Sequence, residues 1–143
     1  FIKANISGVL RVHNGSTVQT TNASYSAAGV APGSDGVVAR NGGTAIVDGA
    51  DVDGFKTGIS ASSGGNVRAL SVLSVKRSTI CGVRAETGSN VTIAKLDASD
   101  NAVDFLNTDL STLLIGGVPI PPSWTSLAGL ANLKIVNGQN DSV

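Results

Sequence analysis

The stretch VRAETGSNVTIAKLDA, residues 83–98, carries apolar side chains in three pairs: Val83 with Ala85, Val91 with Ile93, and Leu96 with Ala98. Members of a pair stand two residues apart, the spacing that puts both on one face of a β-strand. The step between pairs is irregular, so the chain must turn there. Gly88 stands in the first break, where a positive φ is cheap only for glycine. A helix would need a 3.6-residue period, which these positions do not follow. The stretch reads strand, turn, strand, turn, strand.

The same arrangement occurs three more times, as LRVHNGSTVQTTNASY from Leu10, VVARNGGTAIVDGADV from Val37 and ISASSGGNVRALSVLS from Ile59. Leu10, Val37, Ile59 and Val83 form the first column, and Val12, Ala39, Ala61 and Ala85 the second. Gly15, Gly42, Gly64 and Gly88 share the first corner. Val18, Ala45, Val67 and Val91 follow, then Thr20, Val47, Ala69 and Ile93. The last two columns read Ala23, Ala50, Val72, Leu96 and Tyr25, Val52, Ser74, Ala98. One such unit cannot bury its own inner face and must stack on its neighbours. The pattern predicts an all-β chain: a right-handed parallel β-helix of about four to five coils, three short strands per coil. Six-residue, leucine-rich and calcium-binding nonapeptide repeats are not present.

Coils are expected over residues 1–115. Ala4 and Ile6 fit the end of a preceding coil, and Val103, Phe105 and Leu110 to Ile115 a fading fifth. The turn-rich insertion SAAGVAPGSD, residues 26–35, is expected to lengthen the first corner into a loop. Residues 116–143 are expected to form an irregular C-terminal cap. GGVPIPPSW, residues 116–124, holds three of the four prolines and cannot continue a central strand. Ser123 or Thr125 is placed to cap a short helix reaching Leu133, with Leu133 to Val136 as a final strand. Pro121, Pro122 and Trp124 are candidates for subunit contacts.

Composition narrows the function. Ten basic and ten acidic residues give no net charge, and no basic stripe marks a nucleic-acid surface. No apolar run approaches the ~18 residues of a membrane-spanning helix. The single cysteine, Cys81, excludes an internal disulfide framework and reads as a small buried thiol. A chain without Met that begins at Phe1 is expected to be a piece of something longer.

The repeats GVRAETGSNVTIAKLDAS and GISASSGGNVRALSV resemble the low-complexity β-helix repeats of bacteriophage tailspike and tail-fibre proteins, over about residues 8–105. That resemblance implies a homotrimer on the virion tail, extracellular, that binds bacterial surface polysaccharide; many members also cleave it. Neither a head-binding domain nor a recognisable catalytic region accompanies the repeats.

Carboxylates were therefore weighed as catalysts. Asp51 and Asp97 share an outward column two coils apart, roughly 10 Å at the usual strand spacing, at the outer limit of the ~6.5–9.5 Å of inverting glycosidases. Leu73 is expected between them, and solvated surface acids are the simpler reading. Asp48, Asp51 and Asp53 in DGADVDG resemble a calcium loop, but the glycine is misplaced and no Glu follows. His13 is the only histidine, too few for the usual metal site. Arg11 and Arg84 share one outward column; His13, Arg40, Ser62 and Glu86 share another. Thr17, Thr44, Asn66 and Asn90 form an outward polar ladder that tunes register and can also meet sugars. Tyr25 and Phe105 are expected inside, leaving Trp124 and Phe55 as ring platforms.

The expected function is thus a structural, receptor-binding part of a trimeric tail spike or fibre, without catalysis or cofactor in these residues. Asn66, Asn90 and Trp124 are the candidate glycan contacts. A polysaccharide depolymerase completed by neighbouring coils or subunits is the first alternative. A secreted adhesin or autotransporter passenger is the second.

Overall fold

The chain was analysed as a computed structural model, which describes residues 5–7, 9–28, 33–108, 110–124, 133–136 and 139–142. Among them there is no helix. The strands are β1 (Asn5–Ser7), β2 (Leu10–Val12), β3 (Thr17–Thr21), β4 (Ser24–Ser26), β5 (Val37–Arg40), β6 (Thr44–Asp48), β7 (Asp51–Asp53) and β8 (Thr57–Ser62). There follow β9 (Asn66–Lys76), β10 (Cys81–Ala85), β11 (Asn90–Ser99), β12 (Phe105–Asn107), β13 (Thr112–Ile115), β14 (Val118–Pro119), β15 (Leu133–Val136) and β16 (Gln139–Ser142).

Pairing between successive coils is parallel, and the chain forms a β-solenoid of about four turns, a parallel β-helix. It has three faces. Face 1 stacks β2, β5, β8, β10 and β12. Face 2 stacks β3, β6, the first half of β9, the first half of β11, and β13. Face 3 stacks β1, β4, β7 and the second halves of β9 and β11. In the third and fourth coils one long strand bends from face 2 into face 3 without a break.

The core is a narrow apolar column. Val37, Ile59, Val83 and Phe105 fill the first column, each fully buried, with Ala39, Ala61 and Ala85 beside them. Face 2 supplies Ala45, Val67, Val91 and Leu113, then Val47, Ala69, Ile93 and Ile115. Each buried Val or Ile contributes roughly 1.5–3 kcal/mol. Tyr25 is buried in the first coil and its hydroxyl shares a 2.8 Å hydrogen bond with the Thr20 hydroxyl, which keeps a polar tip from being stranded inside.

Two expectations are corrected on face 3. Its inner columns are Ala23, Ala50, Leu73, Leu96 and Tyr25, Val52, Val75, Ala98. Leu73 and Val75 point inward and are fully buried, whereas Val72 is 41 % exposed and Ser74 faces outward. β9 has one residue more than β11 between faces 2 and 3, and the register shifts between Ile93 and Lys95. Because side chains alternate with period two, that single extra residue inverts every later assignment in the third coil. The Asp48 carboxylate accepts the hydrogen bond of the Leu70 amide at this bulge.

The inserted loop is also relocated. It joins β4 to β5 and so lengthens the third corner, from face 3 to face 1, rather than the first. The first corner is uniform. Gly15, Gly42, Gly64 and Gly88 all have φ between +68° and +73°, and Asn14, Asn41, Ser63 and Thr87 before them also lie in the left-handed region.

At the C-terminal end the stack stops. Gly116 and Gly117, both with positive φ, turn β13 into β14, which pairs antiparallel. Ile120 is buried there, and its carbonyl accepts a 2.8 Å bond from Asn107 Nδ2. β15 and β16 form a separate antiparallel pair, so the expected strand at Leu133–Val136 is present. The helix expected before it falls mostly on residues 125–132, outside the described residues.

Candidate functional site

On a solenoid, each outward column becomes a row of side chains about 4.8 Å apart, so sequence position sets surface chemistry directly. Face 2 carries the polar ladder in register: Thr17, Thr44, Asn66, Asn90 and Thr112. Asn90 Nδ2 donates to Asn66 Oδ1 at 3.1 Å, and Asn66 Nδ2 donates to the Gly64 carbonyl at 3.4 Å. The pair is thereby oriented along the solenoid axis with further amide valences directed to solvent. Beside it runs a second outward row of Gln19, Ile46, Arg68, Thr92 and Leu114. The result is a flat strip of amides and hydroxyls with one guanidinium, two apolar side chains (Ile46 and Leu114) and no carboxylate in either row. Such a strip offers both donors and acceptors to a hydroxyl-rich ligand.

Face 3 is different. Ser24, Asp51, Ser74 and Asp97 share one outward row, so a hydroxyl stands between the two acids where Leu73 was expected. Asp51 is engaged by Lys76 Nζ at 3.5 Å, and Asp53 pairs with Arg77. Asp97 lies exposed at the far end of the row. Asp48, Asp51 and Asp53 thus go to three separate partners, and among the described residues no group of three or more His, Cys, Asp or Glu is placed to hold a metal ion.

Face 1 presents Arg11, Val38, Ser60, Arg84 and Leu106 in one row. Arg84 meets Asp35 at 3.9 Å and Glu86 at 3.7 Å. Asp35 belongs to the start of the second coil and Arg84 to the fourth, so the Arg84 side chain lies across the third. That crossing accounts for outward Ser60 being 2 % exposed.

The rings do not form a platform. Phe55, expected at the surface, is buried in the third corner, where the turn after β7 leaves an apolar gap that a large ring fills. Tyr25 and Phe105 are buried as expected. Trp124 is half-buried and packs against the core. Cys81 is fully buried; loss of hydration pushes its thiol up to about 11, against the smaller opposing pull of a backbone hydrogen bond at Val83 and of the Arg84 charge.

Sequence reasoning missed one element that shapes face 1. Gly36, Gly58 and Gly82 stand immediately before the first apolar column and stack on one another. A Cβ on Gly58 would lie 2.4 Å from Val75 Cγ1 and 2.8 Å from the Gly82 carbonyl oxygen. The signal was available in GVVA, GISA and GVRA, which begin alike.

No family model matches the chain, and no curated protein or solved structure is similar to it at a significant level.

Proposed function

We propose that this β-helix is a structural, host-attachment segment of a bacteriophage tail spike or fibre, binding bacterial surface polysaccharide along face 2 and acting as a homotrimer. The observation that carries the reading is the in-register ladder of Thr44, Asn66, Asn90 and Thr112, with Asn90 and Asn66 hydrogen-bonded to each other. A row of fixed amides and hydroxyls matches the spacing and the mixed donor–acceptor character of a polysaccharide laid along the axis, and costs the protein little side-chain entropy on binding. The parallel coils give the rigid scaffold such a row needs. The tail-protein assignment draws on the resemblance of the repeats. On the third, carboxylate-bearing face Asp51 and Asp53 are engaged in ion pairs, which supports binding over hydrolysis.

The test is binding to purified capsular and lipopolysaccharide chains, with the Asn66→Ala/Asn90→Ala double variant beside the parent. The expected result is a selective loss of at least tenfold in affinity at unchanged thermal stability. Equal binding by parent and variant would remove face 2 as the site, and a monomer in sedimentation would argue against the tail assembly. Appearance of new reducing ends or unsaturated sugars during the incubation would shift the reading to a depolymerase.

A further inference from the structure

We infer that Arg11, His13 and Arg40, at the N-terminal end of face 1, form an anion-binding cluster that selects acidic polysaccharide. Arg11 pairs in register with Val38, two residues before Arg40, so the two guanidinium-bearing positions are diagonal neighbours about 7–8 Å apart. His13 and Arg40 occupy the same place in successive turns. The His13 carbonyl accepts from Ser16 N at 3.1 Å, and the Arg40 carbonyl accepts from Gly43 N at 3.0 Å. One coil rise of about 4.8 Å therefore separates them. The floor between the arginines is Val38, an outward residue only 1 % exposed, which gives their stems an apolar bed.

The charges around the cluster are unbalanced locally, although the chain is neutral. The two carboxylates of this face, Asp35 at the start of the coil of Arg40 and Glu86 two coils on, are both engaged by Arg84. Among the described residues neither Arg11 nor Arg40 has an ion pair. The Arg40 Nε atom is buried and has no hydrogen-bond acceptor. A buried donor without an acceptor is costly; Arg40 as a whole is half-buried, and an incoming carboxylate, sulfate or phosphate oxygen supplies acceptors to its accessible guanidinium N–H groups. A planar guanidinium is suited to gripping such groups through paired bonds. Face 3 is the opposite case, since Asp51 and Asp53 already have Lys76 and Arg77. The polymer part of the inference deepens the polysaccharide reading above by adding a charge class. The anion part stands on the cluster alone.

The experiment follows the arginine Nε–Hε signals by NMR while oligogalacturonate, neutral dextran oligomers or inorganic sulfate are added. Arg11→Gln/Arg40→Gln is compared with Arg77→Gln, whose side chain belongs to face 3. We expect oligogalacturonate to move the Arg11 and Arg40 signals and to bind at least tenfold more tightly than dextran. The double variant should lose that preference, and Arg77→Gln should keep it. Equal binding of acidic and neutral oligomers, unmoved by the double variant, overturns the inference and leaves the face 2 reading intact. Response to sulfate with none to oligogalacturonate also overturns it, marking a small-anion site instead. Oligogalacturonate binding that survives Asn66→Ala/Asn90→Ala but not Arg11→Gln/Arg40→Gln upholds the cluster and removes face 2.

Discussion

The first and third corners of the coil solve the same problem by opposite means. At the first corner every coil uses one backbone device, two successive residues at positive φ, and the glycines Gly15, Gly64 and Gly88 have nothing within 4 Å of where a Cβ would be. The third corner differs in each coil. It holds the inserted loop once, Phe55 once and Asn101 once, and the glycines that follow it are enclosed by backbone and side chains. The first corner repeats one local conformation and adds close approach in two coils, where a Cβ on Gly43 would lie 2.4 Å from the Val12 carbonyl oxygen and one on Gly65 2.1 Å from that of Ala39, whereas the third corner repeats no conformation and relies on packing throughout.

At the third corner the largest effect is expected at Gly58. Its missing Cβ faces Val75 Cγ1 on one side and the Gly82 backbone on the other, and the backbone oxygen cannot swing away. Gly58→Ala is expected to cost about 3 kcal/mol, the upper range for overpacking a well-filled interior, read as a lower denaturation midpoint in urea. A cost near that of an ordinary surface substitution would show that the third corner can yield, and the contrast between the corners would collapse.

Cys81, one residue before Gly82, probes the same enclosure by pH. Its folded thiol is raised to about 11 while an unfolded thiol sits near 9. The stabilisation is fully present below pH 9. Above that the unfolded chain loses its proton while the native chain keeps its own, so stability falls as pH rises, and the loss levels off once the native thiol ionises near 11. Over that window the loss should be on the order of 2 kcal/mol. Urea midpoints for the parent and Cys81→Ser, taken from pH 8 to 11, check it. A parallel fall in both proteins would assign the loss to other groups. Native Cys81 should also resist thiol reagents at pH 8.

Asn101 comes next. Its Oδ1 accepts from Ser78 N at 2.9 Å and its Nδ2 donates to the Val75 carbonyl at 3.0 Å, so one side chain ties the corner of the third coil to that of the fourth. Asn101→Ala leaves both backbone groups without partners and should cost about 2 kcal/mol. Asn101→Asp keeps the acceptor but not the donor, and should fall between Asn101→Ala and the parent.

These effects track what could be read in the sequence. The face 1 columns and the uniform corner were legible because both depend on local rules, period two and positive φ. The third face was misread in one coil because a bulge is a property of the paired strand: nothing in LSVLS alone says whether Val72 or Leu73 turns inward. The enclosed glycines escaped notice for a related reason. A close approach between coils depends on the stacked neighbour, not on the residue's own turn. Of the site, the Thr/Asn ladder was readable once the register was known, since an outward column is its own surface map. Phe55 was not, because its burial depends on a gap that only the folded corner creates.

The smallest predicted effect has the opposite sign and tests the open corner. Thr87 holds φ +55°, in a position where Asn14 and Asn41 stand in the first two coils. A β-branched residue is strained in the left-handed region, whereas Asn tolerates it. Thr87 is exposed, so little packing changes with the substitution. Thr87→Asn should therefore stabilise the protein by about 0.5–1 kcal/mol, seen as a rise in Tm of a few degrees for a chain of this size. Gly88→Ala in the same turn should destabilise by a similar amount through backbone strain alone, since its Cβ meets open space. If Thr87→Asn is neutral while Gly88→Ala costs as much as Gly58→Ala, the positive-φ positions of the first corner are held by contacts as well as by conformation, and the two corners are one mechanism in two disguises.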